Sequence, residues 1–458
     1  MEKVHDFLII GGGQAGIPLA HALAKAGRTV ALAEHKQLGG SCVNFGCTPT
    51  KAAIASARVA HLARRAADYG IAVDGVRVDF AKVLQRARDI AAASRGSLEE
   101  SFAGDNPALI RGHARFVGRD GPNFRLDVDG RQVLAREVVL DTGTRSALPP
   151  IENLREIAFL DSENWLDQRE LPHHLLVVGG GYIGLEMGQF YRRLGSAVTI
   201  VQHDEQVVGH EDRDVADGLQ KILEDEGIGF RVGADAKRAH KLDGGLALTI
   251  ETAAGSEELH GSHLFVAAGR QPNTDDLGLD QVGLRPDDKG IIEVDERLRA
   301  KVEGIWAVGD IRGGAMFTHS AWDDYRIVES QLLGDGSRTL DRIVPYAVFT
   351  DPALGRVGLT EKDAREQGRN IKIGRFDIAG NGKAKELGET LGFIKVVVDA
   401  DSDKLLGAAV LAAEAGELVH LYVELMNADA PYTVMERAVH IHPTLAEAAQ
   451  SVLSAIKS

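Results

Sequence analysis

A strand, a glycine-rich turn and a helix occur twice in this chain, in the same order and at the same internal spacing. Phe7-Leu8-Ile9-Ile10 leads into Gly11-Gly12-Gly13-Gln14-Ala15-Gly16, and the following strand, Val30-Ala31-Leu32-Ala33, ends at Glu34. Leu175-Leu176-Val177-Val178 leads into Gly179-Gly180-Gly181-Tyr182-Ile183-Gly184, and Val198-Thr199-Ile200-Val201 ends at Gln202. The copies are offset by 168 residues, Gly11 to Gly179, and each strand end lies 18 positions past the last glycine. A single Gly-x-Gly-x-x-Gly is a weak signal. Two, each in its strand–turn–helix context, point to two dinucleotide sites in a doubly wound α/β fold. The glycines let backbone approach a pyrophosphate, the helix N-terminus attracts its charge, and an acidic strand end takes a ribose hydroxyl.

Two further strands run into glycine, Val138-Val139-Leu140-Asp141-Thr142-Gly143 and Leu264-Phe265-Val266-Ala267-Ala268-Gly269, and a third ends at Val308-Gly309-Asp310. Asp310 stands where doubly wound sheets bind ligands, and reads either as a ligand for a sugar or ribityl hydroxyl or as a helix cap. After about residue 340 the fingerprints stop. Ala347–Thr350, Lys395–Val398 and Ala408–Leu411 read as strands separated by long helical patterns, a separate α+β domain. A chain of 458 residues has room for about three domains.

Charge narrows the partners. Lys+Arg 52 against Asp+Glu 67 leaves a net −15, the wrong sign for coating nucleic-acid phosphate. No apolar run approaches the ~18 residues that span a bilayer. The opening Met1-Glu2-Lys3-Val4-His5-Asp6 runs straight into a strand, which predicts no secretory leader and a cytoplasmic protein.

Only two cysteines occur, Cys42 and Cys47, five residues apart. Two thiols cannot make a structural zinc site, which needs four ligands. In an unbroken helix they would be separated by ~7.5 Å of rise, too far for a disulfide. The chain must bend between them, and Gly46 and Pro49 are the residues that can bend it. Such a pair in a reducing compartment reads as redox-active. Near the C-terminus stand His440 and His442, with Glu447 five residues after the second. A carboxylate so placed can orient an imidazole base. The local pattern alone does not separate His440 from His442.

Together these motifs resemble class I pyridine nucleotide–disulfide oxidoreductases, the flavoprotein family of dihydrolipoyl dehydrogenase, glutathione reductase and mercuric reductase. The resemblance covers essentially the whole chain. It implies two Rossmann-like domains, for FAD and NAD(P)H, and a C-terminal α+β dimerisation domain. The implied boundaries are 1–147 and 269–340 for the two parts of the FAD-binding domain, 148–268 for the NAD(P)H-binding domain and 341–458 for the interface domain. Gly11, Gly13, Gln14, Ala15 and Gly16 would hold the ADP half of FAD, with Glu34 on its ribose and the backbone near Ala114 on adenine. Ser41, Thr142, Gly143, Gly309, Asp310 and Thr318 would complete the flavin site. Gly179, Gly181, Ile183, Gly184, Gln202, His203 and Gly269 would serve NAD(H) or NADP(H), with Tyr182 shielding the flavin. Lys51 would reach the flavin and pair with Glu186. Hydride would pass from nicotinamide to FAD and two electrons on to Cys47. Cys42 would exchange with substrate while His442 and Glu447 of the partner subunit shuttle protons. The implied assembly is a homodimer, and the resemblance implies no resident metal.

The resemblance is less decisive about substrate. Pro49-Thr50-Lys51 and His440-Ile441-His442-Pro443-Thr444-Leu445 are closer to dihydrolipoyl dehydrogenase and mercuric-reductase-like chains than to glutathione reductase. Nothing after Glu447 contains cysteine, which speaks against mercuric reduction. Phe317-Thr318-His319-Ser320-Ala321-Trp322-Asp323-Asp324-Tyr325-Arg326 resembles a mercuric-reductase-like subgroup that includes a copper(II) reductase. That stretch reads equally as a solvated helix face; alternatively, His319 and Arg326 line the substrate side. The expected partner is therefore a small-molecule disulfide or dithiol, with a soft metal ion as the alternative. A redox sensor without turnover is the third reading. Gln202-His203-Asp204-Glu205 carries neither the strand-end Glu of NADH users nor the arginines of NADPH users, and its acids lean toward NADH.

Overall fold

The computed structural model describes residues 3–456; Met1 and Glu2, which open the segment read as leaderless, lie outside them. The first sheet is built on β1 (Val4–Ile10), with β2 (Val30–Glu34) and β6 (Arg131–Leu140) parallel on either side. β3 (Ala108–Arg111) extends it beyond β2, and β16 (Ile305–Ala307) also pairs with β6. β4 (Ala114–Asp120) and β5 (Asn123–Val128) continue it antiparallel. Leu8 and Ile9 are fully buried, one toward each face, as a run of apolar residues in a two-sided parallel sheet requires. α1 (Gly16–Lys25) and α7 (Thr318–Leu333) cover one face, while α2 (Gly40–Asn44), α3 (Cys47–Arg64) and α4 (Phe80–Ser101) lead away from β2.

The antiparallel pair β7 (Thr144–Ser146) and β15 (Arg270–Pro272) carries the chain out of this sheet and back. Between its two strands lies a second parallel sheet: β8 (His174–Val178), β9 (Ala197–Val201), β10 (Ile228–Arg231) and β14 (His263–Val266). Its helices are α5 (Tyr182–Leu194) and α6 (Arg213–Asp225), and a meander of β11 (Asp235–Leu242), β12 (Gly245–Thr252) and β13 (Gly255–Gly261) follows.

The last unit is a five-stranded antiparallel sheet of β17 (Tyr346–Val348), β18 (Ala353–Gly358), β19 (Ile371–Asp377), β20 (Phe393–Asp399) and β21 (Leu405–Ala412). Here the expectation of long helices between strands is corrected. The intervening helices α8 (Glu361–Glu366) and α9 (Gly382–Glu386) are short, and β20 joins β21 through a turn with Asp403 at φ 57°. Ile371-Lys372-Ile373-Gly374-Arg375-Phe376 pairs antiparallel with β20 at the sheet edge, without strict alternation of apolar and polar residues. The long helix, α10 (Ala415–Asn427), comes only after β21 and packs on β18 and β21.

Buried charge ties this unit to the second sheet. Arg193 on α5, 6% exposed, reaches Glu226 at 2.6 Å and Asp351 at 2.5 Å. No helix among the described residues is long and apolar enough to cross a membrane.

Candidate active site

The two glycine turns repeat one geometry. Gly11 has φ +103°, and a Cβ on it would lie 2.2 Å from the Asp141 carbonyl oxygen; one on Gly16 would lie 2.5 Å from that of Gly11. Gly179 has φ +112°, and the corresponding contacts are 2.3 Å to the Ala267 oxygen and, at Gly184, 1.9 Å to that of Gly179. Only glycine fits at these places. The strand ends match as well. Gly12 N–H donates to Glu34 at 2.7 Å, and Gly180 N–H donates to Gln202 Oε1 at 2.6 Å. The residues before α1 and α5, Ala15 and Gly181, offer no side-chain cap, so apart from Gly16 N–H, which donates to Asp141, the helix starts present backbone N–H groups that a pyrophosphate satisfies. The residues present therefore fit a dinucleotide at each turn.

The cysteines are brought together by a break between two helices. α2 ends at Asn44, and Gly46 N–H closes back on the Ser41 carbonyl at 2.6 Å before α3 starts at Cys47. A Cβ at Gly46 would lie 2.8 Å from that same oxygen. Gly46 bends the chain as expected, but Pro49 does not: it lies in the first turn of α3, where its missing N–H is no loss. Both thiols are free, and each perturbs the other's titration. Cys47 Sγ also lies 3.2 Å from the Thr318 hydroxyl at the start of α7.

The shared proton makes the pair unequal. Hydrogen bonding from Cys42 lowers the Cys47 pKa to about 6 against the effect of burial, helped by Thr318 and the Lys51 ammonium. Cys42 is pushed far up by the same partner and by its own burial.

Lys51 lies one turn along α3 from Cys47, and Glu186 one turn along α5 from Tyr182, so each helix presents its pair on one face. Lys51 Nζ donates to Glu186 Oε2 at 2.7 Å, and Glu186 Oε1 accepts from Phe349 N–H at 2.8 Å. Burial opposes the Lys51 charge, but the Glu186 carboxylate outweighs it and holds the ammonium above the usual lysine range. Tyr182 stacks on Tyr346 (5.2 Å, 30°) and on Phe317 (6.0 Å, 25°). The Tyr346 hydroxyl is tied to Glu211, which Arg356 pairs in the interior.

A cleft of about 2140 Å³ joins these parts, twice the ~1,000 Å³ upper range of an ordinary small-molecule pocket. It is bordered by Gly11, Gly13, Gln14, Glu34, Ser41, Cys42, Cys47, Lys51, Ala114, Thr142, Gly143, Tyr182, Ile183, Glu186, Gly269, Gly309, Asp310 and Thr318. Ala15 and Gly16 lie behind its wall, and Gly179, Gly181, Gly184, Gln202 and His203 form the second turn outside it. Asp310 caps no helix; its carboxylate accepts from the Thr144 hydroxyl at 2.8 Å. His319 borders the cleft and donates to the Pro345 carbonyl at 2.6 Å, whereas Arg326 pairs with Asp323 on its own helix.

His442 and Glu447 are not on this cleft. Their side chains meet at 2.9 Å through His442 Nδ1, leaving Nε2 free on a ring that is 76% exposed. His440 has no carboxylate partner, and its Nδ1 is buried without a hydrogen bond. The structure thus separates the two histidines that the sequence left equal. Asp141, Phe317, Tyr346 and Phe349 also belong to the site. Their roles depend on contacts from distant segments; the Asp141-Thr142-Gly143 strand end and the stretch opening at Phe317 carried a signal, but not for these contacts.

Comparison with known proteins agrees with this architecture. Residues 5–324 match the family model described as pyridine nucleotide-disulphide oxidoreductase, and residues 344–453 match its dimerisation domain. A dihydrolipoyl dehydrogenase of Cupriavidus necator is 34% identical over 467 residues, covering 100% of this chain and 98% of the relative. The probable pyridine nucleotide-disulfide oxidoreductase RclA of Escherichia coli K12 is 33% identical over 459 residues, covering 99% of each chain. A solved Cu(II) complex of that HOCl-induced flavoprotein disulfide reductase superposes with TM-score 0.89 at 33% identity, covering 98% of this chain and 100% of the other.

The chain belongs to the pyridine nucleotide-disulphide oxidoreductase family. It is an FAD-dependent enzyme that uses NAD(P)H and a redox-active disulfide, Cys42–Cys47. It carries the family's dimerisation domain, which supports assembly as a homodimer.

Proposed function

We propose that the enzyme moves electrons between NADH and a small-molecule disulfide or dithiol, with Cys42 as the exchanging sulfur. The observation that carries this reading is the thiol pair itself, with Cys47 3.2 Å from Thr318 in a cleft shared with the Lys51–Glu186 pair. In this reading the FAD-binding domain comprises 1–147 and 269–340, the NAD(P)H-binding domain 148–268, and the interface domain 341–458.

The first glycine turn, Glu34 and the backbone at Ala114 hold the ADP half of FAD. Thr142, Gly143, Gly309, Asp310 and Thr318 border its flavin half. The second turn holds the nicotinamide dinucleotide, with Tyr182 and Ile183 on the cleft side. When bound, FAD supplies the two-electron link between the nicotinamide and the sulfurs.

The protein's own groups then perform the exchange. With the pair reduced, Cys42 loses its proton to His442 of the partner subunit and attacks one sulfur of the substrate. The substrate S–S bond breaks, and the leaving thiolate takes the proton from the imidazolium. The Cys47 thiolate next attacks Cys42 Sγ, restoring the Cys42–Cys47 disulfide and releasing the second substrate thiolate, which takes a proton from solvent. A raised Cys42 pKa is why this step needs a base, and Glu447 orients that base through Nδ1.

Gln202 supports NADH. It fills the place of the strand-end acid as a neutral amide, and its Nε2 donates to Asp204 at 2.8 Å. The Asp204 carboxylate then stands where a 2′-phosphate would be repelled. His203, the next residue, is held by Asp235.

The soft-ion alternative has a specific observation behind it, the Cu(II) complex of the Escherichia coli relative. Among the described residues no group of three or more His, Cys, Asp or Glu could hold an ion, which leaves two thiols to receive one. Rapid-mixing reduction by NADH and by NADPH, followed by turnover with lipoamide, glutathione disulfide, Hg(II) and Cu(II), tests the whole reading. NADH and a disulfide or dithiol should be preferred, and Cys42→Ser should abolish turnover. A Cys42→Ser enzyme that still turned over its best disulfide substrate would remove the thiol mechanism.

A further inference from the structure

The end of β6 places a carboxyl group inside the first glycine turn. Asp141 Oδ2 accepts Gly16 N–H at 2.7 Å from 125 positions away, supplying the side-chain cap that α1 lacks at Ala15. Cβ atoms on Gly13 and Gly16 would lie 2.5 and 2.9 Å from that oxygen, and one on Gly309 would lie 3.0 Å from Oδ1. Three glycines from two separate turns thus leave room for one carboxyl. Asp141 is 6% exposed, and what remains open borders the cleft.

Its charged surroundings are one-signed. Glu34 faces it from β2, Asp310 from the segment after β16, and Asp324 from α7. Of these acids Asp324 has its own cations, pairing with Arg312 at 2.7 Å and Arg342 at 2.5 Å. Burial above all, and then the three acids, raise the Asp141 pKa well above the carboxylate range, against the pull of Gly16 N–H. An ionised Asp141 would add another negative charge beside the phosphates of a bound dinucleotide.

We propose that Asp141 holds FAD as a neutral carboxylic acid, Oδ2 capping α1 while Oδ1 keeps its proton and donates into the phosphate site, so that flavin retention is linked to one proton. This rests on the first glycine turn being the FAD cradle. Asp141 is a positioning residue in this account, acting on the turn and on the charge of the site.

The linkage has a definite sign. The phosphates raise the pKa of Asp141 further when FAD binds, so retention is complete below the pKa of the flavin-free protein. It falls above that value by up to about tenfold per pH unit. Equilibrium release of FAD on dilution of the holoenzyme, followed by flavin fluorescence from pH 6 to 10, measures it. Wild type should lose affinity as pH rises. Asp141→Asn, neutral and still a donor, should retain FAD with no such slope and more tightly than wild type at the alkaline end. Asp141→Ala loses the cap and should weaken retention roughly two- to thirty-fold at every pH.

A wild-type affinity flat across that range, or an Asp141→Asn slope equal to wild type, overturns the proposal. Fluorescence that reports no FAD bound at any pH overturns the cradle assignment as well, so the two failures are distinguishable.

Discussion

In the reduced enzyme the thiolate should reside on Cys47. Its pKa of about 6 makes it about nine-tenths ionised at pH 7, against about 3% for an ordinary thiol near 8.5. The largest cause is the hydrogen bond from Cys42, with Thr318 at 3.2 Å and Lys51 contributing less. Replacing Cys42 by alanine deletes that donor and keeps the other two. The Cys47 pKa should then rise by about one to two units, worth roughly 1.4 to 2.7 kcal/mol of lost thiolate stabilisation. Ultraviolet thiolate absorbance of the reduced holoenzyme, titrated from pH 4.5 to 10 and corrected with the Cys42→Ala/Cys47→Ala double variant, reads this directly. A wild-type midpoint near 8.5 would refute the reasoning. So would a midpoint unmoved in Cys42→Ala, because the asymmetry of the pair would then have another source.

Removing one member of a buried ion pair leaves the other uncompensated, at a cost of about 3–5 kcal/mol when both are interior. Lys51 is one-third exposed over a nearly buried Glu186, so Lys51→Met should cost about 2 kcal/mol in chemical denaturation. Adding Glu186→Gln should recover more than half of that; a single variant within 0.5 kcal/mol of wild type, on the order of a surface change, would remove the pair as an organiser of the site. Arg193→Met, which strands Glu226 and Asp351 together, should lose the full ~3–5 kcal/mol. Denaturation with an unchanged midpoint would show that the contact between α5 and the last domain is held by apolar packing alone.

Much of the site was readable along the chain because its parts are local. A glycine turn, the acid or amide 18 residues later and a Cys-x4-Cys segment are short patterns, and each turn needs its own backbone conformation whatever surrounds it. β19 fell within a stretch read as helical. Its seven residues do not alternate strictly between apolar and polar, so they carry little strand signal. Pro49 was misjudged for a related reason, since proline bends a helix interior but is at ease in a first turn. His440 and His442 looked alike until the fold gave one of them Glu447 and left the other's Nδ1 without a partner.

Two dinucleotide turns, a thiol pair and a distant histidine–carboxylate pair are determined by the sequence alone, because each is fixed by residues within one short segment. Only the tertiary structure decides how charge is distributed among them. Cys47 becomes the acidic thiol first through Cys42, brought beside it by the break at Gly46, and then through Thr318 of α7 and Lys51. Asp141 meets three other carboxyls brought from β2, α7 and the turn after β16. Electrostatic energies depend on distance and on exclusion of water, and neither quantity exists until the chain has folded.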